Sequence, residues 1–432
     1  MDSINIVWFR RNLRISDNQC LYRALRATKK IVCLFIFDTS ILSKLQPGPE
    51  RRVSFIYDAV ERLKREFRAM GSELLVYHGN PAVIWQRIVA GYAIDTVFYD
   101  VDYEKYSVQR DAEIELLFDS AGIRTGVVHD HVIFHPETVN KDDGSPYSVF
   151  TPYSRKWMQR FVERPPSEFD SETGLAGSLL PMQAMPMPSF ESLGFEYCEY
   201  ATAESAIRLE IFDNYHQLRD RPDVDGTSRL SAALRFGIIS QRKLVMLASQ
   251  RSPAFLNELI WRDFYQMILF HFPHVEQGPF KPAYASIEWI NNEFHFERWC
   301  RGETGYPLVD AAMHQLNETG WMHNRCRMIT ASFLCKHLLT DWRWGEAYFA
   351  SKLTDFETAS NNGGWQWAAG SGCDAVPYFR IFNPELQRKK IDPIGNYVKQ
   401  WNVKTHTTPL VEHEFARRRC LETYKKALYG PQ

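Results

Sequence analysis

Several features that would narrow the field are missing from this sequence of 432 residues. Its 8 cysteines form no CxxC pair and no regular framework. Neither a zinc ribbon nor a disulfide scaffold is encoded, and they read as reduced thiols. No metal-ligand spacing stands out. The nearest, His271 and His274 in "HFPH", reads as two histidines beside a helix end, so no metal is expected. "MDSINIVWFRRNLR" lacks a signal-peptide pattern and no apolar run is long enough to span a bilayer, so a cytoplasmic protein is expected. No GxGxxG follows the first strand-like run, which removes the fingerprint of a nicotinamide oxidoreductase. Charge of one sign is absent too: 51 Lys and Arg face 52 Asp and Glu, a formal net charge of −1. A chain so balanced binds nucleic acid only through a local basic patch.

What is present is aromatic, 14% of residues with 12 Trp. That suits a large core, and equally a protein that stacks on flat ligands. In the first part, apolar runs alternate with helical patterns. "INIVWF" (4–9), "KIVCLFIFD" (30–38), "SELLVYHG" (72–79) and "DTVFYD" (95–100) are expected strands, with another near "TGVVHDHVIF". "NQCLYRALRA", "RRVSFIYDAVERLKREFRAM", "PAVIWQRIVAGYA" and about 106–121 are expected helices. This alternation predicts an α/β N-terminal domain with a parallel, doubly wound sheet over 1–130. In "ERPPSEFDSETGLAGSLLPMQAMPMPSFESLG", Pro, Ser and Gly replace periodicity, and an interdomain linker is placed at 131–198. From 199 to 432 the chain reads as helix after helix, a larger all-α domain.

The helical part holds polar groups in patterns that a plain core does not need. In "DGTSRLSAALRFGIIS", Asp225-Gly226 makes a turn and Thr227 and Ser228 stand where hydroxyls cap a helix. The same N-terminus, with Arg229, suits a phosphate. In "NELIWRDFYQMILFHFP", Glu258, Trp261, Arg262 and Tyr265 fall on one helix face at i, i+3, i+4 and i+7. That face is either a surface with a Glu–Arg pair or a cavity wall for a base-like ligand. "TGWMHNRCRMITASFL" gathers Asn324, Arg325, Arg327 and Met328, and "KLTDFETASNNGGWQW" supplies Asp355 as a partner for an arginine. Arg219, Arg221, Arg325, Arg380, Gln387, Arg388, Lys389 and Lys390 are candidates for a phosphate-binding rim, though any single charge among them reads better as a solvated face. "ASNNGGWQWAAGSGCDA" (359–375) sets paired Asn and Gly beside two Trp. It reads as a loop with an aromatic plug or as a wall for a planar ring.

Seven stretches, in order, carry a resemblance: "VWFRRNLRISDN", "VFTPYSRKW", "DGTSRLS", "NELIWRDFY", "GETGYPLVDAAMHQLNETGWMHNRCRMITASFL", "DWRWGEAYF" and "NNGGWQWAAGSGCDAVPYFRIFNP". Together they resemble the photolyase/cryptochrome family, most of all its microbial class I members acting on cyclobutane pyrimidine dimers. The resemblance implies a light-dependent carbon–carbon lyase. Reduced FAD in the helical domain gives one electron to a dimer flipped out of UV-damaged DNA, the ring splits, and the electron returns. By position, Tyr215, Thr227, Ser228, Arg229, Leu230 and Ser231 are implied to hold the FAD phosphates and ribityl chain. Phe255, Glu258, Arg262 and Asn324 are implied to line its pocket. Asp355, paired with Arg327, and Glu357 are implied to face the ring, with Asn361 opposite N5. Glu258 is implied to hydrogen-bond a pyrimidine and Met328 to separate it from the flavin edge. Trp365, Trp342 and Trp289 are implied as an electron relay. Arg219, Trp261, Tyr265, Arg325, Trp367, Arg380 and Gln387 are implied to meet DNA.

The chain also departs from the family pattern. Asn12 and Glu357 each replace Asp, and His314 replaces Arg. Tyr106 and Ser107 stand where folate-binding members carry Asn-Glu, so a deazaflavin or flavin antenna fits better than methenyltetrahydrofolate. Asn324 and Met328 occupy positions where enzymes acting on (6-4) products carry a histidine-rich pocket, which favours cyclobutane dimers. The alternative is a cryptochrome-type blue-light receptor with the same FAD site. The short chain after "RRRCLETYKKALYG" weighs against the tail such receptors often add. A monomer without a membrane partner is expected.

Overall fold

The computed structural model describes residues 3–201, 207–401 and 408–430. Its contacts divide the chain into two units. Met1–His135, Arg160–Ala206 and Leu230–Leu247 form one, and Pro136–Gln159, Ile207–Arg229 and Ala248–Gln432 form the other.

The first unit is built on five parallel strands in the order Leu74–Gly79, Lys30–Asp38, Ile4–Phe9, Ile94–Asp100 and Arg124–Val128. The order reverses at the central strand, as a doubly wound sheet requires. Every residue of Ile4–Phe9 is buried, because both faces are covered. Alternation then divides the core. Val7, Phe9, Cys33 and Phe35 pack with Val60, Leu63 and Phe67 of the helix Arg51–Ala69. Ile6, Trp8, Val32 and Leu34 pack with Trp85, Ile88, Ile114 and Phe118. Helix starts follow their caps: Asn18 accepts from Leu21 N, and Asn80 accepts from Ala82 N ahead of the helix Pro81–Gly91.

The last strand ends at Val128, and "HDHVIF" beyond it leaves the sheet. There the Asp130 N–H donates to the Asp100 carboxylate at 2.7 Å, while the Asp130 side chain turns to the buried Arg14 at 2.7 Å. The expected linker at 131–198 contributes Leu175, Leu179, Phe190, Leu193 and Phe195 to the core on the Val7 side. Phe195–Glu196 also pairs in parallel with Gly48–Pro49.

Among the described residues, the regular elements of the second unit are helices. Pro253–His271 starts with Pro at its first turn and Ser252 accepting from Phe255 N. Phe255, Leu256, Leu259, Ile260, Phe264, Met267 and Ile268 are buried, while Glu258, Trp261, Arg262 and Tyr265 stay half-buried. The stretch "NNGGWQW" is no interhelical loop, because it lies inside the helix Thr358–Ala369. Buried amides hold it there. Asn362 Nδ2 donates to Val275 O and Glu346 Oε1, both at 2.9 Å. Gln366, one turn on, donates to Val275 O and accepts from Phe280 N. Tertiary packing overrides the weak helix propensity of paired Asn and Gly. No described helix is long and apolar enough to cross a membrane.

Candidate functional site

The site is assembled from the half-buried face of Pro253–His271, the ends of two neighbouring helices, and one turn. Arg219 follows the helix Leu209–Leu218, and its guanidinium meets Glu258 Oε1 at 2.7 Å. Burial raises the Glu258 pKa, and Arg219 opposes the rise. Tyr215 is buried on the same helix, edge-on to Phe255 at 5.1 Å. Arg262 donates to Glu357 at 2.9 Å, and Ser360 Oγ donates to the other Glu357 oxygen at 2.7 Å. The Asp-to-Glu departure therefore reaches its partners through the carboxylate. Trp261 stacks face to face on Phe150, with centroids 3.6 Å apart and planes 4° from parallel. The Tyr265 ring fills the place of a Gly363 Cβ, which would lie 2.2 Å from it. Gly363 thus lets one ring approach the backbone, and nothing lies within 4 Å of a Cβ on Gly364.

The helix Asn324–Ser332 contributes the opposite side. Arg327 pairs with Asp355 at 2.8 Å, as the resemblance implies, and also donates to Met322 O at 2.8 Å. Arg325 bonds Asp220 Oδ1 at 2.6 and 3.1 Å and comes within 3.9 Å of Met328 Sδ. Asn324 is exposed, its amide 4.0 Å from the same sulfur. Asn361 Nδ2 donates to Glu346 O at 3.2 Å, and burial lifts the Glu346 carboxyl to a pKa of about 7.

The turn before Thr227 is held tightly. Arg208 donates to both Asp225 oxygens, at 2.6 and 3.2 Å, and to Thr227 O at 3.1 Å. A Cβ on Gly226 would sit 2.5 Å from Leu218 Cβ. Arg229 takes a left-handed backbone, φ 54, and its guanidinium lies 4.7 Å over Trp321. Leu230 and Ser231 continue the chain into the first unit, where Ser231 opens the helix Ser231–Arg235.

Trp365 and Trp342 are buried and Trp289 is partly exposed, and all three belong to one apolar cluster. The rings nearest Trp365 are Phe349 at 4.9 Å and Trp299 at 6.0 Å. Trp367 is half-buried against the same cluster. Arg380 is exposed on a segment tied down by the buried Lys336, whose ammonium donates to Arg380 O at 3.0 Å. Gln387 is half-buried on the helix Pro384–Ile391. No hydrogen bond or ion pair joins Arg380 or Gln387 to the Glu258 cluster among the described residues. His314 bonds Trp401 O, and Asn12 Oδ1 accepts from Arg10 N at 3.0 Å, while the buried Asn12 Nδ2 has no partner among the described residues.

Sequence reasoning passed over Asp220, Glu346, Trp299 and His323. His323 is 2% exposed and caps Asn324–Ser332 by accepting from Arg325 N at 3.2 Å through Nδ1. Burial pulls its pKa to about 4, so the ring is neutral at pH 7 and Nε2 carries the proton. That buried N–H has no partner among the described residues. An orphaned donor within electrostatic reach of Arg229, which follows Thr227 and Ser228 in the chain, suits a polar anionic cofactor such as FAD. Its only sequence signal was its place ahead of Asn324.

The family model for DNA photolyase matches residues 5–170, and that for the FAD binding domain of DNA photolyase matches 255–404. A deoxyribodipyrimidine photo-lyase from Synechococcus sp. is 37% identical over 92% of this chain and 87% of its own length. A bacterial class III photolyase structure from Agrobacterium tumefaciens matches with TM-score 0.83 and 28% identity, covering 99% of this chain and 98% of that one. An archaeal photolyase structure from Sulfolobus tokodaii with two FAD molecules matches with TM-score 0.79 and 29% identity, over 98% and 99% of the two chains. The chain belongs to the DNA photolyase family.

Proposed function

We propose that this protein is a light-dependent lyase that splits cyclobutane pyrimidine dimers in UV-damaged DNA. The observation that carries the reading is the face of Pro253–His271, which keeps an acid, an indole, a guanidinium and a phenol half-buried in a chain of this family. Reduced FAD, when bound, supplies the light absorption and the single electron that opens the dimer, and takes that electron back. The protein's own task is binding, position and electrostatics.

Thr227, Ser228 and Arg229 hold the anionic phosphates. Tyr215, Phe255 and Asn324 line the pocket. Arg262–Glu357 and Arg327–Asp355 fix charges beside the ring, and Asn361 offers it an amide able to donate or accept. The Trp261 ring, rigid against Phe150, and Trp367 form walls for the extruded pyrimidines, with Tyr265 supporting them. Glu258, its pKa raised by burial, is suited to donate a hydrogen bond to a pyrimidine carbonyl once Arg219 turns to a phosphate. Met328 separates that base from the cofactor. Arg219, Arg325, Arg380 and Gln387 meet the DNA backbone. Trp365, Trp342 and Trp289 carry electrons inward from solvent. The α/β unit takes a deazaflavin or flavin antenna, a reading supported by the second FAD of the archaeal relative. The protein works as a monomer in the cytoplasm, consistent with eight unpaired cysteines.

The test mixes the reduced protein with an oligonucleotide containing a thymine dimer, under blue light and in darkness. Dimer loss only in the light is expected. Equal dimer content in both samples overturns the reading in favour of a blue-light receptor.

A further inference from the structure

Two consecutive residues after Leu209–Leu218 clasp the two helices that carry the site. Arg219 reaches back to Glu258 on Pro253–His271, while Asp220 receives Arg325 from Asn324–Ser332. Asp220 is not among the residues expected to meet DNA or the cofactor, although its charge acts on Glu258 and Tyr215. Its side chain makes one ion pair among the described residues, to Arg325, through a single oxygen that takes both Nε and NH2.

We propose that Asp220 is an internal competitor for DNA phosphate: it occupies Arg325 in the free protein and so restrains binding to undamaged duplex. The proposal rests on the reading of Arg325 as a contact to the DNA backbone. The geometry favours exchange. Arg325 keeps 25% and Asp220 44% side-chain exposure, and an ion pair that open contributes at most about 1 kcal/mol. A phosphate therefore displaces the carboxylate without leaving a buried charge unpaired. The cost falls on affinity, because an arginine already neutralised internally gains less from a phosphate, and the nearby carboxylate repels it. When Asp220 lets go, Arg325 keeps its backbone N–H on His323 and its guanidinium contact with Met328 Sδ at 3.9 Å. Such a restraint has a purpose in a repair enzyme, since intact duplex is in vast excess and offers the same phosphates as damaged sites.

The experiment measures binding of the flavin-loaded protein to an undamaged, dye-labelled duplex in the dark across a range of salt. Asp220→Asn is expected to bind roughly three- to tenfold tighter at low salt, with the advantage shrinking as salt rises. In an Arg325→Ala background, which itself binds more weakly, Asp220→Asn should bring no gain. Unchanged affinity for Asp220→Asn alone overturns the proposal. So does a gain that survives without Arg325, which marks a general charge effect. If Arg325→Ala leaves affinity unchanged, the assignment of Arg325 to DNA fails, and the proposal fails with it for a different reason.

Discussion

Arg14 and Arg242 in the α/β unit and Arg219 and Arg325 in the helical unit stand in opposite kinds of ion pair. In the α/β unit, Arg14 and Arg242 keep 7% side-chain exposure and meet the Asp130 and Asp17 carboxylates, which keep none. In the helical unit, Arg219, Glu258, Arg325 and Asp220 keep between 25% and 44%. The first set is held from several sides: Arg242 donates to Asp17 at 3.0 Å and lies in an ion pair with the Asp130 carboxylate at 2.7 Å, and Asp17 also accepts from Ser240 and from Phe169 N. Such pairs cannot trade partners, because removing one member strands a charge in low dielectric. The second set is open to water and to phosphate, so its members can let go. Arg14–Asp130 and Arg242–Asp17 build the scaffold, and the half-open Arg219–Glu258 and Arg325–Asp220 are suited to a ligand.

Asp130→Ala breaks this contrast most severely, since it leaves both Arg14 and Arg242 short of a carboxylate in the interior. A loss of about 3–5 kcal/mol is expected in denaturant unfolding of the α/β unit. A loss no larger than that from opening a pair in the helical unit means that burial does not separate the two sets.

A glycine supplies the next effect. Gly345 lies in the helix Trp342–Lys352, where alanine is normally the better helix former by about 1 kcal/mol. Here its Cβ would fall 2.1 Å from the Trp365 ring and 2.6 Å from Leu334 Cδ2, both in the packed core. Overpacking of that kind costs about 1–3 kcal/mol, so Gly345→Ala is expected to lower the melting temperature. A raised melting temperature, the ordinary outcome on an exposed helix, means that Trp365 has room and is held less rigidly than its packing indicates.

These residues also show what pattern alone conveys. Two of the inner strands were legible because they are buried on both faces, and Ile4–Phe9 and Lys30–Asp38 run as expected. The polar face of Pro253–His271 was legible because helix periodicity places i, i+3, i+4 and i+7 together. The partners of that face were not, since Arg219 and Glu357 lie far away in sequence and only folding brings them close. The paired asparagines read as one feature, yet the helix separates them. Asn361 donates to Glu346 O, while Asn362 is spent on Val275 O and the Glu346 carboxylate. Functional roles came from the ordered motifs rather than from chemistry at any single position. Asp220 lies in no quoted motif, His323 lies inside "TGWMHNRCRMITASFL" without standing out there, and both became visible only with their neighbours in place.

The smallest stability effect tests the contrast from its other end. Glu258→Gln removes the charge from the half-open pair while keeping a side chain of the same shape and hydrogen-bonding reach. An exposed pair contributes at most about 1 kcal/mol, and burial already disfavours the ionised Glu258, so unfolding free energy should change by less than that. Arg219 keeps access to water and remains tolerated without its partner. Repair per absorbed photon, by contrast, should fall, because an amide donates to a pyrimidine carbonyl more weakly than a carboxylic acid and cannot pass it a proton. The two readouts must separate for the contrast to stand. If Glu258→Gln costs several kcal/mol, the pair belongs with Arg14 and Arg242 as scaffold; if it leaves repair per photon unchanged, Glu258 has no part in the chemistry.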